Sequence, residues 1–154
     1  MKKVLIAVDD TRSTKNVFTK CRDICKCMNP ELIILLYVEK FEGRSLMDEM
    51  LGDAELSTLR EVLAGSEFKE AMDRKANAIL EHYKRSLEEA PPVPRIKTII
   101  KTGHPAEEIL KAAKEENADM IIVGSRGKRS HSLLLGSVSR EVANNADIPV
   151  LIVR

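Results

Sequence analysis

An α/β fold, with a mostly parallel sheet and helices on both faces, is what this sequence predicts. Five short strand candidates punctuate the chain: Val4–Val8, Leu32–Val38, Arg95–Lys101, Met120–Val123 and Pro149–Val153. Segments with apolar residues at helical spacing lie between them. An alternation of this kind calls for right-handed crossovers and helices covering both faces of the sheet. The third observation is local, at residues 118–139, where an apolar strand runs into Gly124-Ser125-Arg126-Gly127 and Gly136-Ser137 opens a helix. Strand, glycine turn and helix start are the parts that hold phosphate in open α/β sheets, because small residues admit the anion and free N–H groups favour its charge.

Taken in order, Val4–Val8 is an unbroken apolar run and reads as a strand buried on both faces, ending at Asp9-Asp10. Thr11–Thr14 supplies helix-starting residues. Val17, Phe18, Cys21, Ile24, Cys25 and Met28 then form one helical stripe, closed by Asn29-Pro30. Leu32–Val38 is a second buried strand. Residues 41–66 form a long connection in which Leu56, Leu59 and Leu63 suggest a helical piece; a lid, an interface or a plain surface helix all fit it. From Phe68, the positions Phe68, Met72, Ala76, Ile79, Tyr83 and Leu87 step by four or three, giving an amphipathic helix that Pro91, Pro92 and Pro94 terminate.

The third strand is more polar, with Lys97 and Thr98 inside it and Pro94 before it, which fits a sheet edge. Gly103-His104-Pro105 leads into a helix with Ala106, Ile109, Leu110 and Ala113 inward and Pro105 near its first position. After the fourth strand and the glycine turn, the last helix carries Val138, Val142 and Ala146 on one side. The last strand is continuously apolar; at a sheet edge it invites another chain, so a homodimer through Pro149–Val153 is expected.

Composition narrows the functional classes. A chain of 154 residues fits one domain, 1–154, with a substantial core. Hydrophobic residues at 44% and charged residues at 32% suit a globular protein rather than a disordered one. A net charge of +1 and 3% aromatic residues give no compositional support for nucleic-acid or anionic-membrane binding. The first apolar run is too short for a signal peptide or a span, and three cysteines confined to Cys21–Cys27 argue for a reducing compartment, so a cytoplasmic protein is expected.

Several stretches together resemble the universal stress protein family. They are Val4–Asp9, Leu35–Val38, Gly103–Ile109, Ala118–Gly127 and Leu133–Val138, in the family's order along the whole chain. The resemblance implies a five-stranded parallel α/β/α sandwich of Rossmann-like kind, strand order 3-2-1-4-5, dimeric through the last strand. Its ATP-binding branch has Gly, two residues, Gly, nine residues, Gly, then Ser or Thr. Here Gly124 and Gly127 make the first pair and Gly136-Ser137 the last, with eight residues, Lys128–Leu135, between them. Two further departures are His104 where Asp is common and Asp10 where Gly is common.

Carried over by position, the resemblance implies that Val8, Asp9 and Val38 surround adenine and ribose. It likewise turns Gly124, Gly127, Gly136, Ser137 and Val138 toward the phosphates through backbone N–H groups. Arg126, Lys128 and Arg129 add loop charge, as ligand contacts or as solvated side chains. The implied ligand is ATP or AMP, with Mg²⁺ as candidate counter-ion.

Rival sites carry less. Asp9-Asp10 resembles the acidic pair of two-component receiver domains, but no Asp stands at the phosphoacceptor place and no Lys precedes Ile148-Pro149. Cys21 and Cys25 fall on the apolar stripe and Cys27 points away, so one metal ion cannot take all three thiols. His82 and His104 lack ligand-like neighbours, and His131 reads as a solvated loop residue. No nucleophile elbow, Walker A or zinc-ligand spacing occurs, and no general base has an obvious carboxylate partner. The reading is therefore a nucleotide-binding stress-response or signalling module with hydrolysis slow or absent. Its alternatives are a dimeric interaction protein that binds no nucleotide and, third, a slow ATPase.

Overall fold

A computed structural model describes residues 2–10, 18–20, 23–24, 27–40, 58, 67–89, 95–125 and 135–154. Within them run β1 (Lys3–Val8), β2 (Leu32–Glu39), α1 (Glu67–Glu88), β3 (Arg95–Thr102), α2 (Pro105–Glu115), β4 (Met120–Gly124), α3 (Ser137–Asn145) and β5 (Val150–Val153). Helical residues also stand at 18–20, 23–24 and 27–28. Val17, Cys21, Cys25 and the proline cluster at 91–94 lie outside the described residues. So does all of 41–66 except Thr58, which is helical and exposed.

The five strands form one sheet in the order β3-β2-β1-β4-β5, every pair parallel. The expected strand order and three-layer architecture are both observed. Alternation along β1 divides the core. Val4, Ile6 and Val8 pack with Phe18, Ile33, Leu35, Leu80, Tyr83 and Leu87 on one face. Leu5, Ile34 and Leu36 pack with Ala106, Ile109, Ala112, Ala113 and Val142 on the other. The helices before β2 and β3 thus cover one face, and those before β4 and β5 the other, so the winding reverses between β1 and β4.

Helix boundaries follow local chemistry. Asn29 and Asn117 adopt the left-handed region, φ 43° and 52°, behind the first helical stretch and α2 respectively, a conformation that asparagine tolerates. Gly103 has φ 154°, and a Cβ there would stand 3.0 Å from Glu108 Cγ. Pro105 occupies the first turn of α2 as expected, while His104 at the N-cap makes no side-chain cap bond.

One expectation about α1 is corrected. Its buried stripe is Ala76, Leu80, Tyr83 and Leu87, and Phe68 is 53% exposed. Lys69 already meets the last residue of β2. Phe68 lies one residue earlier and roughly 100° around the helix, turned away from that contact.

β3 is an edge strand, as its composition suggests, with Arg95, Lys97 and Thr98 exposed. Lys97 and Lys101 bond Glu116 and Glu115 at 2.7 and 2.8 Å. At the opposite edge, β5 leaves Val150, Leu151 and Ile152 half-buried.

The start of β1 is fixed by one carboxylate. Asp119 Oδ2 accepts the N–H groups of Lys2 and Lys3 at 2.6 and 2.8 Å, and Asp119 N–H donates to Lys3 O at 2.8 Å. The backbone bonds from Lys3 and Lys2 hold the Asp119 carboxyl below the ordinary aspartate range. A depressed folded-state pKa gives stabilisation that is complete above pH ~4 and lost as pH falls through the depressed value. Asp119→Ala is expected to lower the thermal midpoint at pH 7, with the deficit shrinking below pH ~4. An equal deficit at both pH values would count against the charged bond as its source.

Candidate functional site

All five strands being parallel, their carboxyl ends share one rim of the sheet, and the winding reversal opens a crevice there between β1 and β4. Val8-Asp9, Val38-Glu39 and Gly124-Ser125 end β1, β2 and β4 at this rim. Val8 is 4% exposed and belongs to the core beneath α1, whereas Val38 packs with the core of the opposite face. Asp9 is half-buried, and its carbonyl accepts the Tyr83 hydroxyl at 3.3 Å. Phe18 packs against the Tyr83 ring with centroids 4.4 Å apart and the planes tilted by 33°, so this phenol is held at its ring as well as at its hydroxyl. Asp10, where a glycine is common in the family the sequence resembles, pairs with Lys75 of α1 at 3.0 Å.

The N-terminus of α3 follows β4 and carries the second group of expected site residues. Gly136 is its N-cap, with φ −61° and ψ 154°, and Ser137 is its first residue. The first intrahelical bond runs from Arg140 N–H to Gly136 O at 3.0 Å. The N–H groups of Ser137, Val138 and Ser139 precede it and have no acceptor within the helix. With the helix dipole they make a positive terminus suited to an anion. Gly136 differs from the expectation: its own N–H donates to Ser125 O at 2.8 Å, which commits it to the fold. Ser137 is exposed, and Val138 is half-buried. Arg126 and Gly127, with Lys128, Arg129 and His131, lie outside the described residues.

Two groups at the rim escaped the sequence reading. The first is Ser139, 2% exposed, whose Oγ lies 3.0 Å from Gly136 O and 3.3 Å from Ser125 O. The second is Glu39, 1% exposed at the end of β2. Its Oε2 accepts Lys69 Nζ at 2.7 Å and Thr102 Oγ1 at 3.0 Å, and its buried Oε1 has no hydrogen-bond partner among the described residues. Lys69 also donates to Asp73 at 2.6 Å. Burial works against the Lys69 ammonium, but the bonds to Asp73 and Glu39 outweigh it and raise its pKa above the ordinary lysine value. Lys69 in turn holds the Asp73 carboxyl below its ordinary range. The spacing of Lys69 and Asp73, four residues on one helix, was legible as a pair. Nothing in the chain marks Glu39 as their third member. Among the described residues, no group of three or more His, Cys, Asp or Glu is placed to hold a metal ion.

The model of the universal stress protein family matches residues 1–154. Universal stress protein MJ0577 of Methanocaldococcus jannaschii is 33% identical over 158 aligned positions, covering 100% of this chain and 96% of that protein. Its solved structure superposes with a TM-score of 0.76 at 31% identity, covering 99% and 94% of the two chains. A universal stress protein in complex with cAMP superposes at 0.66, with 20% identity and coverage of 99% and 96%. Another, from Archaeoglobus fulgidus in complex with dAMP, superposes at 0.57, with 15% identity and coverage of 100% and 98%. The last two likenesses establish a shared fold.

Lys69→Met is expected to cost about 3 kcal/mol in urea unfolding, because it strands the Glu39 carboxylate in the interior. The double change Glu39→Leu with Lys69→Met is expected to recover most of that loss. Additive costs in the two single variants and the double would show that the pair is not coupled.

Proposed function

The chain belongs to the universal stress protein family, and from that membership we propose that it is a nucleotide-binding stress-response or signalling module acting as one domain over residues 1–154. The observation that carries the reading is the α3 terminus, where three N–H groups without intrahelical acceptors stand beside the end of β4 at the winding reversal. Val8, Asp9 and Val38 at the neighbouring strand ends would line the base and ribose, with the Asp9 carboxylate as acceptor. Ser137 and Val138 would meet phosphate through their N–H groups. Gly124, Gly127 and Gly136 would keep the approach open, and Arg126 would add charge.

ATP or AMP is the proposed ligand, Mg²⁺ accompanying the triphosphate, and the cAMP and dAMP complexes of the two relatives support an adenine nucleotide. Hydrolysis is slow or absent in this reading, and the module acts by linkage: nucleotide favours one arrangement, which a partner reads. The proposed compartment is the cytoplasm, where the exposed thiol of Cys27 stays reduced. The eight-residue spacing from Gly127 to Gly136 favours a second reading, a dimeric interaction protein without nucleotide. Calorimetric titration with Mg-ATP and with AMP separates the two. Heat and a raised thermal midpoint are expected, and silence in both at millimolar nucleotide would sink the first reading.

The proposed oligomer is a homodimer through the last strand, Pro149–Val153. The half-buried apolar side chains of β5 at a sheet edge support it. Sedimentation is expected to show a dimer at micromolar concentration, and a monomer there would exclude this interface.

A further inference from the structure

We infer that Ser139 is a positioning residue for phosphate: its side chain locks the start of α3 to the end of β4 and so aims the free N–H groups of residues 137–139 into the crevice. The inference rests on the nucleotide reading of the same site and adds a group that does not itself touch the ligand.

Three bonds carry it. Gly136 N–H donates to Ser125 O at 2.8 Å, and Ser139 Oγ lies 3.3 Å from that same carbonyl. The serine hydroxyl also lies 3.0 Å from Gly136 O. A hydroxyl has one proton, so the two carbonyls share it in a three-centre bond or take it in turn. A bond back to Gly136 O alone would be the ordinary local habit of serine near a helix start. The contact with Ser125 O is different, because it leaves the helix and reaches the strand on the far side of residues 126–135. Ser125 and Ser139 are 4% and 2% exposed, so water competes poorly for these bonds.

Ser125 is also anchored from behind. Its N–H donates to Val153 O at 2.8 Å, continuing the β4–β5 ladder by one residue. The carbonyl that receives both Gly136 and Ser139 therefore belongs to a residue whose own N–H is fixed to the sheet. Anchoring of this kind lowers the ordering cost of binding, since the donors already point where the anion will sit. Charge-assisted bonds to phosphate gain most from it, being short and direction-dependent. The adenosine half of a ligand, lodged at the ends of β1 and β2, does not draw on this lock.

The test compares AMP with adenosine on the wild type, Ser139→Ala and Ser139→Thr by calorimetry, with thermal midpoints recorded alongside. Ser139→Ala is expected to weaken AMP roughly five- to tenfold while leaving adenosine affinity unchanged. Ser139→Thr, which keeps the hydroxyl, is expected to restore the AMP-to-adenosine ratio even if its added methyl lowers the midpoint. An unchanged ratio in Ser139→Ala, or a Thr variant that retains its fold but keeps the Ala ratio, overturns the positioning role and leaves the nucleotide reading standing. A wild type that binds neither ligand overturns both.

Discussion

The rim of this molecule depends on β1 being paired on both sides. Its backbone is laddered to β2 along its length and to β4 from Val4 to Ile6, and the Asp119 carboxylate fastens its first residues. Those contacts make β1 the axis about which the helices change face. Everything that gives the crevice its chemistry sits at the ends of strands this pairing brings level. Were β1 displaced, Asp9 would lose its place beside the end of β4.

Around that axis the rim is built from two kinds of polar contact. On the α1 side, the side chains of Lys69 and Lys75 reach back to Glu39 and Asp10, so helix and strand ends are joined by opposite charges. On the α3 side the joints are neutral and made mostly by the backbone: Ser125, Gly136, Ser139 and Val153 exchange bonds without a formal charge. A buried ion pair holds its position at a desolvation cost. The neutral joints leave the helix dipole uncompensated. The second arrangement suits the proposed phosphate site.

How much was legible in the chain follows from the range of each interaction. The strands announced themselves because burial on both faces demands continuous apolar residues, as in Leu32–Val38, and the polar β3 betrayed its edge position. Glycine and serine at 136–137 marked the helix start for reasons local to the backbone. Periodicity placed α1 and three of its four buried residues, Ala76, Tyr83 and Leu87, but ran the stripe on to the exposed Phe68 and passed over Leu80, because spacing alone does not say which neighbours the fold supplies. Glu39 was illegible. A carboxylate closing an apolar strand reads as solvent-facing, and the groups that bury it come from residues 30 and 63 positions away. Ser139 was missed for a related reason: its second acceptor, Ser125, lies across the loop.

The two borders of the sheet differ in kind. β3 shows Arg95, Lys97 and Thr98 outward, with Lys97 and Lys101 held by Glu116 and Glu115 at the C-terminal end of α2. β5 shows valine, leucine and isoleucine. Cationic side chains along a border discourage a foreign strand, whereas an apolar border accepts one. A sheet with one closed and one open border has a single growing end. Joining two such sheets by their open ends consumes both, and what remains at either extremity is the guarded strand. Association of this geometry terminates at a closed pair instead of running on into a fibre.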